Sequence, residues 1–218
     1  MRTCCIFDLD GTLTQTLESL ARPCNRTLRH FGLPPMPVDN YRYYVGDGLD
    51  NALRRALRDA GDPEGRFFRE GIQLCRAWFA EDPLYHVTPC EGIPALLRTL
   101  RERGVRLGVC TNKIHAQAIS VVEEIFGPGT FDAIQGQTEE IPIKPDPAGV
   151  QALLRRMGKA PADCLYIGDS NTDMYTGQNA GLTTVGVTWG FRPRAELAAC
   201  NPAYIIDRPE ELLALLER

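Results

Sequence analysis

Two kinds of hydrophobic pattern alternate along the chain, and the points where one gives way to the other mark its elements. Cys4 to Phe7 is an unbroken apolar run, the pattern of a parallel strand covered on both faces. From Thr16 to Asp82 apolar positions recur at helical spacing. They begin with Leu17, Leu20, Ala21, Leu28 and Phe31, up to a break at Gly32-Leu33-Pro34-Pro35. Leu49, Leu53, Ala56 and Leu57 follow, then Phe67, Phe68, Ile72, Leu74, Trp78 and Phe79. After Pro83 the two patterns interleave. Helices are predicted over 93–103, 114–126, 147–157, 171–180 and 209–216, and strands over 105–110, 133–136, 164–167, 183–187 and 204–206.

Helices alternating with strands predict βαβ units around a parallel sheet. The expected fold class is therefore α/β, a Rossmann-like parallel sheet core formed by residues 1–15 and 83–218, with an all-helical insertion over 16–82. A chain of 218 residues can bury a full core and carry such an insertion. Hydrophobic residues make up 44% and charged residues 24%, which argues against disorder.

The net charge of −4 provides no basic field, so nucleic acid is not an expected partner. No apolar run approaches the length needed to span a bilayer, so no membrane partner is expected either. Eight cysteines occur without any Cys-x-x-Cys pair, and Cys4, Cys5, Cys110 and Cys164 fall in predicted strands. They read as small hydrophobes in a reducing compartment. The chain enters its first strand at once, without a leader pattern, so a cytoplasmic location is expected. Nothing in the pattern points to an oligomeric state.

Chemistry collects where predicted strands stop. Asp8, Asp10 and Gly11 follow the first strand, at the end where open α/β sheets place their ligands. Side chains two apart in a strand share a face, so both carboxylates are expected to project into one crevice. Gly11 is expected to turn the backbone and bring its N–H close to an anion. Thr111 and Asn112, before Lys113, offer a hydroxyl and an amide to phosphoryl oxygens, though Thr-Asn at a strand end also suits a helix N-cap. Lys144 is held between constraints imposed by Pro145 and Pro147. Asp169 and Asp173 open another strand-to-helix turn, where either could simply cap the helix. Taken together these are four carboxylates, a lysine and hydroxyl and amide donors at the ends of one predicted sheet. Oxygen ligands without a His or Cys cluster favour a hard cation, and Mg2+ suits a phosphate substrate.

In this order the four stretches resemble the haloacid dehalogenase superfamily of aspartyl-phosphate phosphatases, along essentially the whole chain. The resemblance implies that Asp8 is the nucleophile and Asp10 the acid/base. It further implies that Thr111 binds the phosphoryl group, that Lys144 offsets its charge, and that Asp169 and Asp173 help hold Mg2+. By their own chemistry and position Gly11, Asn112 and Lys144 are also expected to bind substrate, and Asp8 and Asp10 to act as metal ligands. The helical stretch looks like the mobile cap of that family, and Val45-Gly46-Asp47-Gly48 is similar to the cap of phosphoglycolate phosphatases. Thr111-Asn112-Lys113 and Val187-Thr188-Trp189-Gly190 suit the same branch. Gln15 stands where the branch usually has an acidic residue, and Thr88-Pro89-Cys90-Glu91-Gly92-Ile93 replaces its usual Pro-Tyr-Pro-Gly-Val. The implied partner is a small phosphorylated metabolite such as 2-phosphoglycolate. A phosphosugar mutase, a pyrophosphatase or nucleotidase, and a silent regulatory or binding module are the alternatives. Most of the arginines at 22, 26, 42, 54 and 55 are expected to be solvated or paired with local acids.

Overall fold

The apolar run Cys4–Phe7 forms strand β1, and all four of its side chains are fully buried. Burial on both faces requires layers above and below it, which an α/β sheet supplies. The computed structural model describes residues 2–217. After β1 come β2 (Thr14–Gln15), α1 (Leu17–His30), α2 (Tyr41–Tyr44), α3 (Leu49–Asp59), α4 (Phe68–Glu81), β3 (Thr88–Pro89) and α5 (Ile93–Glu102). These are followed by β4 (Arg106–Ile114), α6 (His115–Phe126), β5 (Ala133–Gln137), α7 (Ala148–Met157), β6 (Cys164–Gly168), α8 (Asn171–Asn179), β7 (Thr183–Val187), α9 (Arg194–Ala199), β8 (Tyr204–Ile206) and α10 (Leu212–Leu215).

The chain divides into two compact units, one containing the residues up to Gln15 and from Thr88 onward, the other Thr16–Val87. The first holds a six-stranded sheet in the order β5-β4-β1-β6-β7-β8, parallel at every pairing. The chain builds outward from β1 to β4 and β5, then returns to β6 on the other side and continues to β8. The change of direction leaves a crevice at the carboxyl ends of β1 and β6, where sheets of this order bind ligands. Cys4 and Ile6, two apart on one face, join Cys110, Cys164 and Tyr166 in a cluster with Val150, Leu153, Leu154 and Met157 of α7. Burying each such large side chain contributes about 1.5–3 kcal/mol.

The second unit is helical. α1 and α4 approach closely at Gly71, where a Cβ would lie 3.1 Å from Thr27 Cγ2. Cys24 and Cys75 meet in the unit's interior with their Sγ atoms 3.7 Å apart. Arg22, Arg26, Arg42 and Arg55 pair with Asp82, Glu81, Asp39 and Asp47 of the same unit, while Arg54 stacks over Phe68. Residues 83–87 fold back against α1, with Ser19 Oγ donating to the Pro83 carbonyl and His86 paired with Glu18. The second crossing between units therefore falls at Val87–Thr88, five residues beyond the change of periodicity at Asp82–Pro83.

Some elements depart from the expected pattern. Strand β4 does not stop at Cys110 but runs through Thr111-Asn112-Lys113 to Ile114, with a register shift against β5 between Cys110 and Ile114. The six-residue α9 and the two-residue β2 and β3 are too short to show a period, and the final predicted helix is split into a 3-10 turn and α10. Among the described residues no helix is long and apolar enough to cross a membrane.

Candidate active site

β1 ends at Phe7, and the Asp8 N–H still makes a ladder bond to the Ile167 carbonyl. Asp8 is thereby fixed at the sheet edge between β4 and β6. Beyond it the backbone turns. The Leu9 carbonyl accepts from the N–H groups of Leu13 and Thr14, and the Gly11 N–H donates to the Thr14 carbonyl at 2.8 Å. Strand alternation therefore does not extend to residue 10. The Asp10 carboxylate lies 3.2 Å from Lys113 Nζ, apart from the acidic cluster it was expected to join.

That cluster consists of Asp8, Asp169 and Asp173, all buried, with one carboxylate oxygen of each within 4.8 Å of the others. Asp169 follows β6, so neighbouring strands deliver the first two members. One Asp169 oxygen accepts from the Phe191 N–H at 2.6 Å and the other from the Thr12 hydroxyl at 3.2 Å. Gly11 has φ +87°, and a Cβ there would lie 2.6 Å from Asp169 Oδ2. Its expected task as an N–H donor is replaced by another: a positive φ and empty space beside a carboxylate. Gly190 makes the same room from the loop after β7, since its Cβ would fall 2.2 Å from Asp169 Cβ. Trp189 ties that loop to the turn after β1, donating from Nε1 to the Thr12 carbonyl at 3.0 Å.

Asp173 caps a helix and also belongs to the cluster. Ser170 and Asp173 form a capping box at the start of α8, with Ser170 N–H and Oγ donating to Asp173 Oδ2 at 3.1 and 2.5 Å. Its other oxygen receives Lys144 Nζ at 2.7 Å, and the same ammonium lies 2.8 Å from Asp8 Oδ1. Asn112 positions that lysine. Its Oδ1 accepts from the Lys144 N–H at 2.8 Å and its Nδ2 donates to the Lys144 carbonyl at 3.4 Å, so this amide is spent on backbone. Thr111 is 5% exposed beside it, and its hydroxyl accepts from the Lys113 N–H. The alternative of Thr-Asn as a helix cap is not realised, because Ile114 occupies the N-cap of α6.

Three carboxylates and one lysine leave an excess of buried negative charge. Burial and the Asp173 charge push the Asp8 carboxyl well above the ordinary carboxylate range, against the pull of Lys144. Burial and Asp173 raise Asp169 to about 7, although the Phe191 N–H, Lys144 and Arg192 oppose the shift. Burial disfavours the Lys144 ammonium, but Asp173 and Asp8 outweigh it and its pKa is raised. A divalent cation fits here: the donors are all carboxylate oxygens, and they are short of positive charge.

The chemistry of individual side chains pointed to Asp8, Lys144, Asp169 and Asp173. It passed over Gly190 and the Phe191 N–H, which act through an absent side chain and a backbone group. Val187-Thr188-Trp189-Gly190 had drawn notice only as a family-like stretch.

Residues 5–187 match the model of the haloacid dehalogenase-like hydrolase family. A phosphoglycolate phosphatase of Aquifex aeolicus is 30% identical over 212 residues, covering 97% of this chain and 95% of its own. One from Rhodospirillum rubrum is 36% identical over 202 residues, covering 89% and 83%. Among solved structures, a protein from Lactobacillus delbrueckii subsp. bulgaricus superposes with a TM-score of 0.91 at 27% identity, covering 99% of both chains. A haloacid dehalogenase-like hydrolase of Streptococcus pneumoniae gives 0.86 at 26% identity, covering 98% of both. With Asp8 at the end of β1, Lys144 and the acidic cluster gathered in one crevice, the chain belongs to the haloacid dehalogenase-like hydrolase family and is a phosphoric monoester hydrolase of the phosphoglycolate phosphatase-like branch.

Proposed function

We propose that the protein hydrolyses a small phosphomonoester, 2-phosphoglycolate in the first place, through an aspartyl-phosphate formed on Asp8. The observation that carries the reading is the different placement of two neighbouring aspartates. Asp8 lies on Lys144 inside the acidic cluster, while Asp10 lies outside it beside Lys113. In the first step an Asp8 oxygen attacks phosphorus, the ester P–O bond breaks, and Asp10 gives its proton to the departing alkoxide. In the second, Asp10 takes a proton from a water that attacks the same phosphorus. Inorganic phosphate leaves and the Asp8 carboxylate is restored.

Asp8 and Asp169 would hold Mg2+, with Asp173 adding its charge while anchoring Lys144; Asp10 has no carboxylate in that set. Mg2+ bound there supplies positive charge that keeps Asp8 ionised and offsets the phosphoryl oxygens. Lys144 and the Thr111 hydroxyl assist by facing the same oxygens, and Asn112 keeps Lys144 in place. The choice of substrate is supported by relatives named phosphoglycolate phosphatases, matched along most of the chain.

Phosphate release should be measured with and without Mg2+ on 2-phosphoglycolate, sugar phosphates, nucleotides and pyrophosphate. The expected result is turnover that stops in EDTA and prefers 2-phosphoglycolate, with Asp8→Asn lowering kcat at least about 1,000-fold. Full Mg2+-dependent turnover by Asp8→Asn would sink the nucleophile assignment.

A further inference from the structure

The site contains a second buried cation for which phosphoryl transfer gives no work. Lys144 already serves Asp8 and Asp173. Lys113 is also sunk in the protein, its side chain 4% exposed, with Nζ 3.2 Å from Asp10 Oδ1. It projects from the stretch of β4 where the register against β5 shifts, a device that re-aims side chains near functional sites. Burying an ammonium costs several kcal/mol unless anions compensate. Asp10 Oδ1 is buried and has no hydrogen-bond partner among the described residues, so Lys113 supplies its countercharge, while the Asp10 side chain as a whole keeps 19% exposure.

Position suggests what Lys113 is for. If Asp10 protonates the leaving oxygen, that oxygen comes to about 2.7 Å from the Asp10 carboxylate. Lys113 Nζ is 3.2 Å from the same carboxylate, so it lies next to whatever the leaving oxygen carries. A carboxylate on the carbon bonded to that oxygen is only two bonds from it, within reach of an ammonium so placed. A neutral alkyl group in the same place would leave a buried cation facing an apolar surface.

We propose that Lys113 is a substrate-binding residue that selects α-phosphooxy carboxylates by pairing with their carboxylate. The inference rests on the proposed function and narrows it to a substrate class, 2-phosphoglycolate being the smallest member. Lys144 then reads the phosphoryl end of the substrate and Lys113 the acid end. Asp10 stands between them, where the bond breaks.

The test compares kcat/KM for 2-phosphoglycolate with that for 2-hydroxyethyl phosphate, which keeps the carbon chain and lacks the carboxylate. The wild type is expected to prefer the carboxylate by at least about 10-fold. In Lys113→Met that ratio should fall by at least about 10-fold, toward parity, chiefly through KM for 2-phosphoglycolate, and Lys113→Arg should recover most of it. An unchanged ratio in a folded Lys113→Met protein overturns the proposal. Should that variant not fold, the wild type decides alone, since hydrolysing both compounds equally well overturns the role of Lys113 while leaving the phosphatase reading intact. A wild type that releases phosphate from no phosphomonoester overturns the function on which the inference rests.

Discussion

Asp169 owes its position to atoms that are missing. Gly11 and Gly190 flank it, and a methyl group on either would overlap its carboxylate or its Cβ. Gly190→Ala is therefore expected to displace Asp169 and break its bond from the Phe191 N–H, weakening Mg2+ binding about 10- to 100-fold while the protein stays folded. A Mg2+ activation curve checks this, and an unshifted half-saturation would show that Asp169 does not hold the ion. The contrast explains what could be read from residues alone. Asp8, Lys144 and Asp169 stand out because acids and a lysine at strand ends are costly without a use. Gly190 and the Phe191 amide carry no distinguishing chemistry until their distances to Asp169 are known. Asn112 was legible as polar, yet its amide is turned to the Lys144 backbone, a partner 32 residues away that spacing cannot reveal.

Elements were legible where periodicity and length agreed. β1 and β7 match their predicted ranges, whereas β4 was cut short because Thr111, Asn112 and Lys113 look like a loop. Backbone pairing does not depend on side-chain polarity, and residues inside a covered sheet can be polar when they face a site. The start of α4 offers a test at this scale. Asp62, five residues ahead of the helix N-cap and 1% exposed, accepts from the N–H groups of Arg66 and Phe67 and from Arg66 Nε. Burial opposes its charge, but the Phe67 N–H and Arg66 prevail and hold its pKa below the ordinary 3.8. A depressed carboxylate stabilises fully above its unfolded value and loses that contribution as pH falls through the folded one. Asp62→Asn, which turns an amide N–H toward these donors, should cost about 1–3 kcal/mol near neutrality. Its urea midpoint should also drop less than the wild type's as pH falls below about 4, the unfolded value, and on through the lower folded one. An equal drop in both proteins would assign the acid sensitivity elsewhere.

At the scale of the molecule, alternating patterns disclosed a parallel sheet and a helical insertion, but not the order of the strands, which depends on long-range pairing. That order brings β1 beside β6 and so gathers Asp8 and Asp169 from positions 161 residues apart. Asp8, Asp10, Thr111, Lys144, Asp169 and Asp173 all lie in the unit formed by the residues up to Gln15 and from Thr88 onward. Within it Gln15 and Thr88 are direct partners in the antiparallel β2–β3 pair. Strand ends so paired are spanned by a two-residue turn. Replacing residues 16–87 with Asn-Gly should therefore close a β-hairpin and leave a chain that folds cooperatively. Because the acidic cluster would survive intact, Mg2+ at about 100 times its dissociation constant should add about 2.7 kcal/mol and raise the melting temperature by on the order of 5 °C. A thermal melt followed by circular dichroism, with Mg2+ and with EDTA, makes the comparison. A shortened chain with no cooperative transition would mean that the sheet needs the helical unit to fold. A cooperative melt indifferent to Mg2+ would mean that Asp8, Asp169 and Asp173 do not suffice to bind the ion.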